Sequence, residues 1–170
     1  MANQVTYANM FSESRNNIVA LLTSTNVPDP TLSSAEFRKW IYSREPDIKA
    51  IGGSGYPYII VNSADVDIET KGGSLNGKSK IVYWDIEIEI VTSDRGYGEN
   101  DGKGLTHMDT ISNNILKTIM NITNRNTLTN NSMQYANMTT TSVGTETLNN
   151  ELVYRRSIIL SFKSKIQVSS

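Results

Sequence analysis

The sequence predicts an α+β fold: one antiparallel β-sheet with a long β-hairpin, packed on one face by two amphipathic helices. Three observations carry this. Residues 81–92 alternate with period two: Val82, Trp84, Ile86, Ile88 and Ile90 on one side, Tyr83, Asp85, Glu87 and Glu89 on the other. Residues 106–124 instead carry Met108, Ile111, Ile115, Ile119 and Ile122 at helical spacing. An apolar strand face and an apolar helix stripe must bury each other, which gives helices layered on a sheet.

The elements follow in order. Met10 to Thr23 reads as the first helix, with Phe11, Ile18, Leu21 and Leu22 at helical spacing, ended by Val27-Pro28-Asp29-Pro30. Residues 31–55 read as a connector with a short helix. Ser33-Ser34-Ala35-Glu36 has the form of a capping box, Phe37, Trp40 and Ile41 offer a short apolar face, and Gly52-Gly53-Ser54-Gly55 closes the stretch. A strand starts near Tyr56 and runs through Tyr58-Ile59-Ile60-Val61. After Asn62-Ser63, a second alternating run covers Asp65 to Glu69. Residues 70–80 form the hairpin tip, with an Asn76-Gly77 turn. The arm 81–92 comes next, then a Gly-rich loop over 93–104. The second helix spans 106–124, with Thr106 and Asp109 as candidate caps.

Residues 123–131 are polar and read as a loop. Two strands follow, at 133–143 and 151–166. In the last, Leu152, Tyr154, Ile158, Leu160 and Phe162 share a face with a discordant Arg156, while Arg155, Ser157, Ser161, Lys163 and Lys165 share the other. No internal repeat appears, and the 170 residues read as a single domain.

Composition narrows the function classes. Sixteen basic and 17 acidic residues give a formal net charge of −1, so nothing global draws the chain to nucleic acid or anionic lipid. The absence of cysteine removes disulfides, thiol catalysis and Cys-type zinc sites. The first five residues do not read as a signal peptide, and no apolar run approaches the roughly 18 residues of a membrane span. The sequons at Asn121, Asn130 and Asn137 read as products of an Asn-, Thr- and Ser-rich composition.

Catalytic candidates do not assemble. In the loop 96–104, Gly98 and Gly102 stand one residue too close for a phosphate loop, and Gly104 occupies the position of its metal-binding Ser or Thr. Asp94, Glu99 and Asp101 lack calcium-loop spacing. His107 is the only histidine, and no Gly-x-Ser-x-Gly elbow accompanies it. The expectation is a protein that is not an enzyme and has no cofactor or metal.

The main chemical feature is an acidic comb: Asp65, Asp67 and Glu69 on one arm, Asp85, Glu87 and Glu89 on the next. Like charges directly opposite cost a few tenths to about 1 kcal/mol per pair. Arg155, Lys163 and Lys165 on the last strand can offset them. These nine residues are the candidate interface or channel-lining set, and a solvated outer face is the plainer reading of the same pattern. Trp84, Tyr58, Tyr154 and Phe162 read as packing residues, because their charged neighbours on the hairpin are acidic and do not suit a base-stacking platform.

The double-stranded RNA-binding domain shares part of the element order, but it needs a basic helix end and basic loops, which the acidic sheet contradicts. Over residues 10–166 the chain resembles the tail terminator, or tail completion, family of tailed phages. The resemblance rests on the helix with Ile18, Leu21 and Leu22, and on the strand Tyr56-Pro57-Tyr58-Ile59-Ile60-Val61. It rests further on the arm from Trp84 to Val91, the Ile/Met-striped helix, and the ending Arg155-Arg156-Ser157-Ile158-Ile159-Leu160. The connector 31–55 is longer than that family's usual one.

The resemblance implies a ring, expected to be a hexamer, in the neck of a virion tail assembled in host cytoplasm. Such a ring stops tail-tube growth and joins tail to head. Its partners would be further copies of itself, the tail tube protein, the head-connector or stopper protein, and genomic DNA passing through the lumen without specific binding; no membrane is implied. The alternatives are another virion assembly component (tube, baseplate or head-completion subunit) or a nucleotide-binding enzyme using the 96–104 loop.

Overall fold

The computed structural model describes residues 5–6, 8–23, 26–32, 38–47, 55–69, 79–94, 103–148 and 151–167; the side chains of 65–66, 68–69, 79–80 and 166–167 lie outside that description. Its elements are α1 (Met10–Leu21), β1 (Ile41–Tyr42), β2 (Tyr58–Glu69), β3 (Ser79–Ser93), α2 (Gly104–Met120), α3 (Ile122–Asn130), β4 (Gln134–Thr140), β5 (Gly144–Leu148) and β6 (Glu151–Gln167).

All six strands form one sheet in the order β1-β2-β3-β6-β4, with β5 also on β6. The fold is α+β, and the sheet is antiparallel except for β1, which runs parallel to β2. β3 is the spine. Its period-two pattern buries Val82, Trp84, Ile86, Ile88 and Ile90 on one face. The same face takes Ile59 and Val61 from β2 and Ile158, Leu160 and Phe162 from β6. Met108, Ile111, Ile115 and Ile119 of α2 close over it, with Met10, Ile18 and Leu21 of α1 and the neighbouring Leu22. Each fully buried Ile or Leu contributes roughly 1.5–3 kcal/mol. Trp84 and Phe162 pack with ring centroids 6.0 Å apart.

Several expectations are corrected. The segments 56–61 and 65–69 are one strand, because a β-bulge between Ser63 and Val66 absorbs the break in alternation. The capping box at 33–36 lies outside the described residues, but 38–42 is not helical, and Ile41 and Tyr42 pair with Ile59 and Ile60 as β1. The expected strand 133–143 is β4, and a further strand not expected from the sequence, β5, follows it; both lie along the same edge of β6. The hairpin is therefore not a free two-stranded arm: β6 pairs with β3 from Ser79 to Ser93.

The second helix ends at Met120, and the stretch read as a loop is α3. Asn121 is extended at ψ 126°, and its side chain accepts from the amides of Thr123 and Asn124. That N-cap starts α3, which buries only Leu128 and so shows no apolar stripe. α2 itself begins at Gly104, ahead of Thr106, with no side-chain cap bond. Two residues assigned to apolar stripes, Phe11 and Ile122, are 51% and 67% exposed.

Candidate interaction face

Helices cover one face of the sheet. The opposite face is the candidate site, and it divides into two zones.

The zone beside β1 is a small apolar patch of Tyr56, Tyr58, Ile60, Val91 and Val153, flanked by Tyr42 and Leu148. Tyr56 and Tyr58 stack with centroids 5.6 Å apart. Arg155 lies at its border, set there because it pairs with Val91 on β3 and Gly144 on β5. Its Nε donates to Glu146, its Nη1 to Glu89 Oε1 at 2.9 Å, and its Nη2 to Glu45 Oε1 at 3.5 Å. Glu45 Oε1 also accepts from the Tyr58 hydroxyl at 2.6 Å. Burial opposes the charge on Arg155, but the hydrogen bonds to Glu146 and Glu89 outweigh it and hold the guanidinium above its ordinary value. Burial also pushes the Tyr58 hydroxyl well above the ordinary tyrosine range, reinforced by its bond to Glu45. The network fastens the segment 39–47 to the sheet. A second fastening lies nearby: Arg38 Nε donates to the buried Asp29 carboxylate at 2.6 Å, and its Nη2 donates to the Pro57 carbonyl at 2.5 Å.

The distal zone carries most of the predicted charges. Cross-strand partners show how β2, β3 and β6 share them. Glu89 sits between Ile60 and Ser157, and Glu87 between Asn62 and Ile159. Asp85 faces Ser161 at the level of the bulge, and Asp67 is exposed opposite Tyr83. Lys163 also pairs with Tyr83, from the other side, and Lys165 with Ile81. Glu89, Glu87 and Asp67 thus each stand opposite neutral residues, which spares them a directly facing like charge, while Asp85 stands at the bulge that holds Ala64 and Asp65. The side chains of Asp65 and Glu69 lie outside the described residues.

Sequence reasoning missed Glu45, Glu146 and the Tyr58 hydroxyl. Nothing local marks them: Glu45 comes from the connector, and Glu146 from a short strand whose pairing is decided more than five residues away. The described part of the Gly-rich loop is structural. Gly104 packs its helix start against the end of β3, and its carbonyl accepts from Thr92 Oγ1 at 2.8 Å. Residues 95–102 of that loop, and the hairpin tip 70–78, lie outside the description. Among the described residues no group of three or more His, Asp or Glu side chains is arranged to hold a metal. Likewise, no described helix is long and apolar enough to cross a membrane.

The geometry defines a class: an α+β fold whose sheet is clad by helices on one face and carries the charged side chains on the other. No protein-family model matches the sequence, and no curated protein sequence does. Among solved structures, the fold is similar to a chain from the virion of a native gene transfer agent particle. That likeness has 10% identity and a TM-score of 0.39, covering 91% of this chain and 94% of the other.

Proposed function

We propose that this chain is a structural assembly subunit of a phage-type particle, acting as the ring-forming terminator at the head-proximal end of the tail. The reading is carried by the one-sided sheet. Its outer face bears Asp67, Asp85, Glu87 and Glu89 against Arg155, Lys163 and Lys165, with no metal-binding cluster among the described residues. The element order of α1, the β2–β3 hairpin, α2 and the C-terminal strands is the order on which the resemblance to tail terminators rests.

In this reading copies close into a hexameric ring by repeated head-to-tail contact. The ring caps the tail tube, docks to the head connector, and lets DNA pass. Arg155 is held by carboxylates of its own protomer, so among the described residues the outer face offers passing phosphates Asp67, Asp85 and Glu87 against Lys163 and Lys165. Such a wall repels DNA and keeps it mobile.

Light scattering of the purified protein tests the ring: a hexamer, or a monomer that becomes one on tail tubes, is expected. A monomer that stays single even with tubes present would remove the proposal. Electron micrographs of particles lacking the protein should show overlong tails or unjoined heads and tails. For the DNA-facing role, Asp85→Lys with Glu87→Lys should leave assembly intact and impair ejection. Normal ejection would assign the outer face elsewhere.

A further inference from the structure

Resting on the ring reading, we infer that neighbouring copies join edge to edge, the free edge of β2 in one copy pairing antiparallel with β4 of the next, so that one sheet runs on around the ring.

The sheet has two unpaired edges among the described residues. On one side β1 pairs with β2 only at Ile59 and Ile60, a parallel register that also engages the Val61 amide, leaving the edge open from Asn62 to Glu69. On the other side nothing described pairs with the outer edge of β4. Exposed edges of this length are ordinarily blunted by lysine, proline or a cover. Residues 134–148 contain no Lys, Arg or Pro, and their only charged side chain, Glu146, is engaged by Arg155 of the same protomer.

The two edges match in height. Thr139 pairs with Ile159, Ile159 with Glu87, and Glu87 with Asn62. Gln134 likewise leads through Lys163 and Tyr83 to Asp67. Across the sheet, β4 is therefore level with the open part of β2, while the part that β1 occupies is level with residues 141–143, between β4 and β5. They also match in direction. β2, β3, β6 and β4 alternate, so β2 and β4 run oppositely, and a rotation that sets copies side by side makes every junction antiparallel. The available hydrogen-bonding groups can be named. The Ile59 amide donates outward to the Trp40 carbonyl, and alternation turns the Val61 and Ser63 amides outward too; the parallel register gives the Val61 amide to β1 at Tyr42 and leaves that of Ser63 available. The Thr141 amide donates inward to the Ser157 carbonyl, which turns Thr140 and Met138 outward. A two-fold pairing of β2 with itself would bring like acids together, whereas β4 presents none.

Proline on an outward amide removes that donor and spares the strand's own partner. Ser63→Pro and Thr140→Pro are compared with Ser63→Ala and Thr140→Ala by light scattering, with circular dichroism and thermal melting to verify folding. Wild type and both alanine variants should form the ring, and each proline variant alone should fall to monomer mass. Mixed together, the two proline variants should form a one-to-one dimer, because each keeps the edge the other needs. Rings from either proline variant would overturn the edge pairing and leave the ring reading standing. Dimers of Ser63→Pro alone would overturn it in favour of a two-fold β4 contact. A wild type that never associates would remove both. Should a proline variant misfold, hydrogen exchange on wild type decides: the Met138, Thr140 and Ser63 amides should exchange at least tenfold more slowly in the assembled form, and equal rates would overturn the inference.

Discussion

Arg156 Nη1 lies 3.0 Å from Ser112 Oγ, so a cation on the core-facing side of β6 is received by a hydroxyl of α2. The same nitrogen reaches Asp109 Oδ1 at 3.1 Å, and the Ser112 hydroxyl donates to the Met108 carbonyl at 2.7 Å. This residue looked discordant in the strand pattern, and it pins helix to sheet.

Removing that pin should weaken the layer contact. Arg156→Ala is expected to lower unfolding stability by about 1–2 kcal/mol. Arg156→Met, which keeps the stem's packing, should stay within about 1 kcal/mol of wild type. Urea titrations of both variants measure this, and an unchanged midpoint for the alanine variant would count against the contact.

Arg155 is expected to matter more than any one of its partners. Its loss leaves Glu89, with 22% of its side chain exposed, without its cation. Arg155→Ala should cost about 1–3 kcal/mol. Glu45→Gln should cost less than about 1 kcal/mol, because the Glu45 side chain is 53% exposed and solvent screens it. The reverse order in chemical denaturation would show that the connector, not the strand carboxylates, anchors the guanidinium.

Gly104 sets helix propensity against space. Alanine favours a helix by about 1 kcal/mol over glycine. A Cβ here, however, would meet the Ser93 carbonyl carbon at 2.6 Å, its oxygen at 2.7 Å and the Asp94 nitrogen at 2.8 Å, all of them backbone. Sterics should win, and Gly104→Ala should destabilise by about 1–3 kcal/mol. A raised melting temperature would contradict the close approach.

Alkaline titration should expose the buried Tyr58. Its hydroxyl is held protonated in the folded chain and ionises near pH 10 when unfolded. A folded-state pKa above the unfolded one gives stability that is complete below pH 10 and declines as pH rises beyond it. Tyr58→Phe should make that decline shallower by up to about 1.4 kcal/mol per pH unit. Identical slopes between pH 10 and 11 would mean that the hydroxyl is not shielded.

Ile115 and Ile122 share one helical spacing in the sequence but lie in different helices, and they should respond differently to truncation. Ile115 is fully buried, and alanine there should cost about 2–5 kcal/mol. Ile122 is 67% exposed, and alanine there should change stability by less than about 0.5 kcal/mol.

These residues also show what was legible in the sequence. Strand β3 and the buried part of α2 declare themselves because one periodic face meets one core. Ile122 fits the helical count, but the Asn121 side chain stops α2 and restarts the chain as α3. A capping bond between neighbours competes with periodicity and leaves no apolar trace. The bulge in β2 is hidden for a similar reason, since one extra residue between Ser63 and Val66 imitates the end of a strand. The charged outer face could be read as a set of residues but not as an arrangement. Whether Glu87 meets another acid or Asn62 depends on register, and the partners that hold Arg155 come from Glu45, Glu89 and Glu146, three distant stretches of chain.

β6 is 17 residues long and is the shared neighbour of β3, β4 and β5, all of which precede it. During synthesis those three strands emerge before the strand that joins them. The sheet is thus completed late, and most of its height depends on contacts between distant parts of the chain, a topology associated with slow folding. Until residues 151–167 arrive, one side of β3 has no partner, so a nascent chain held by a chaperone would be guarding that side above all.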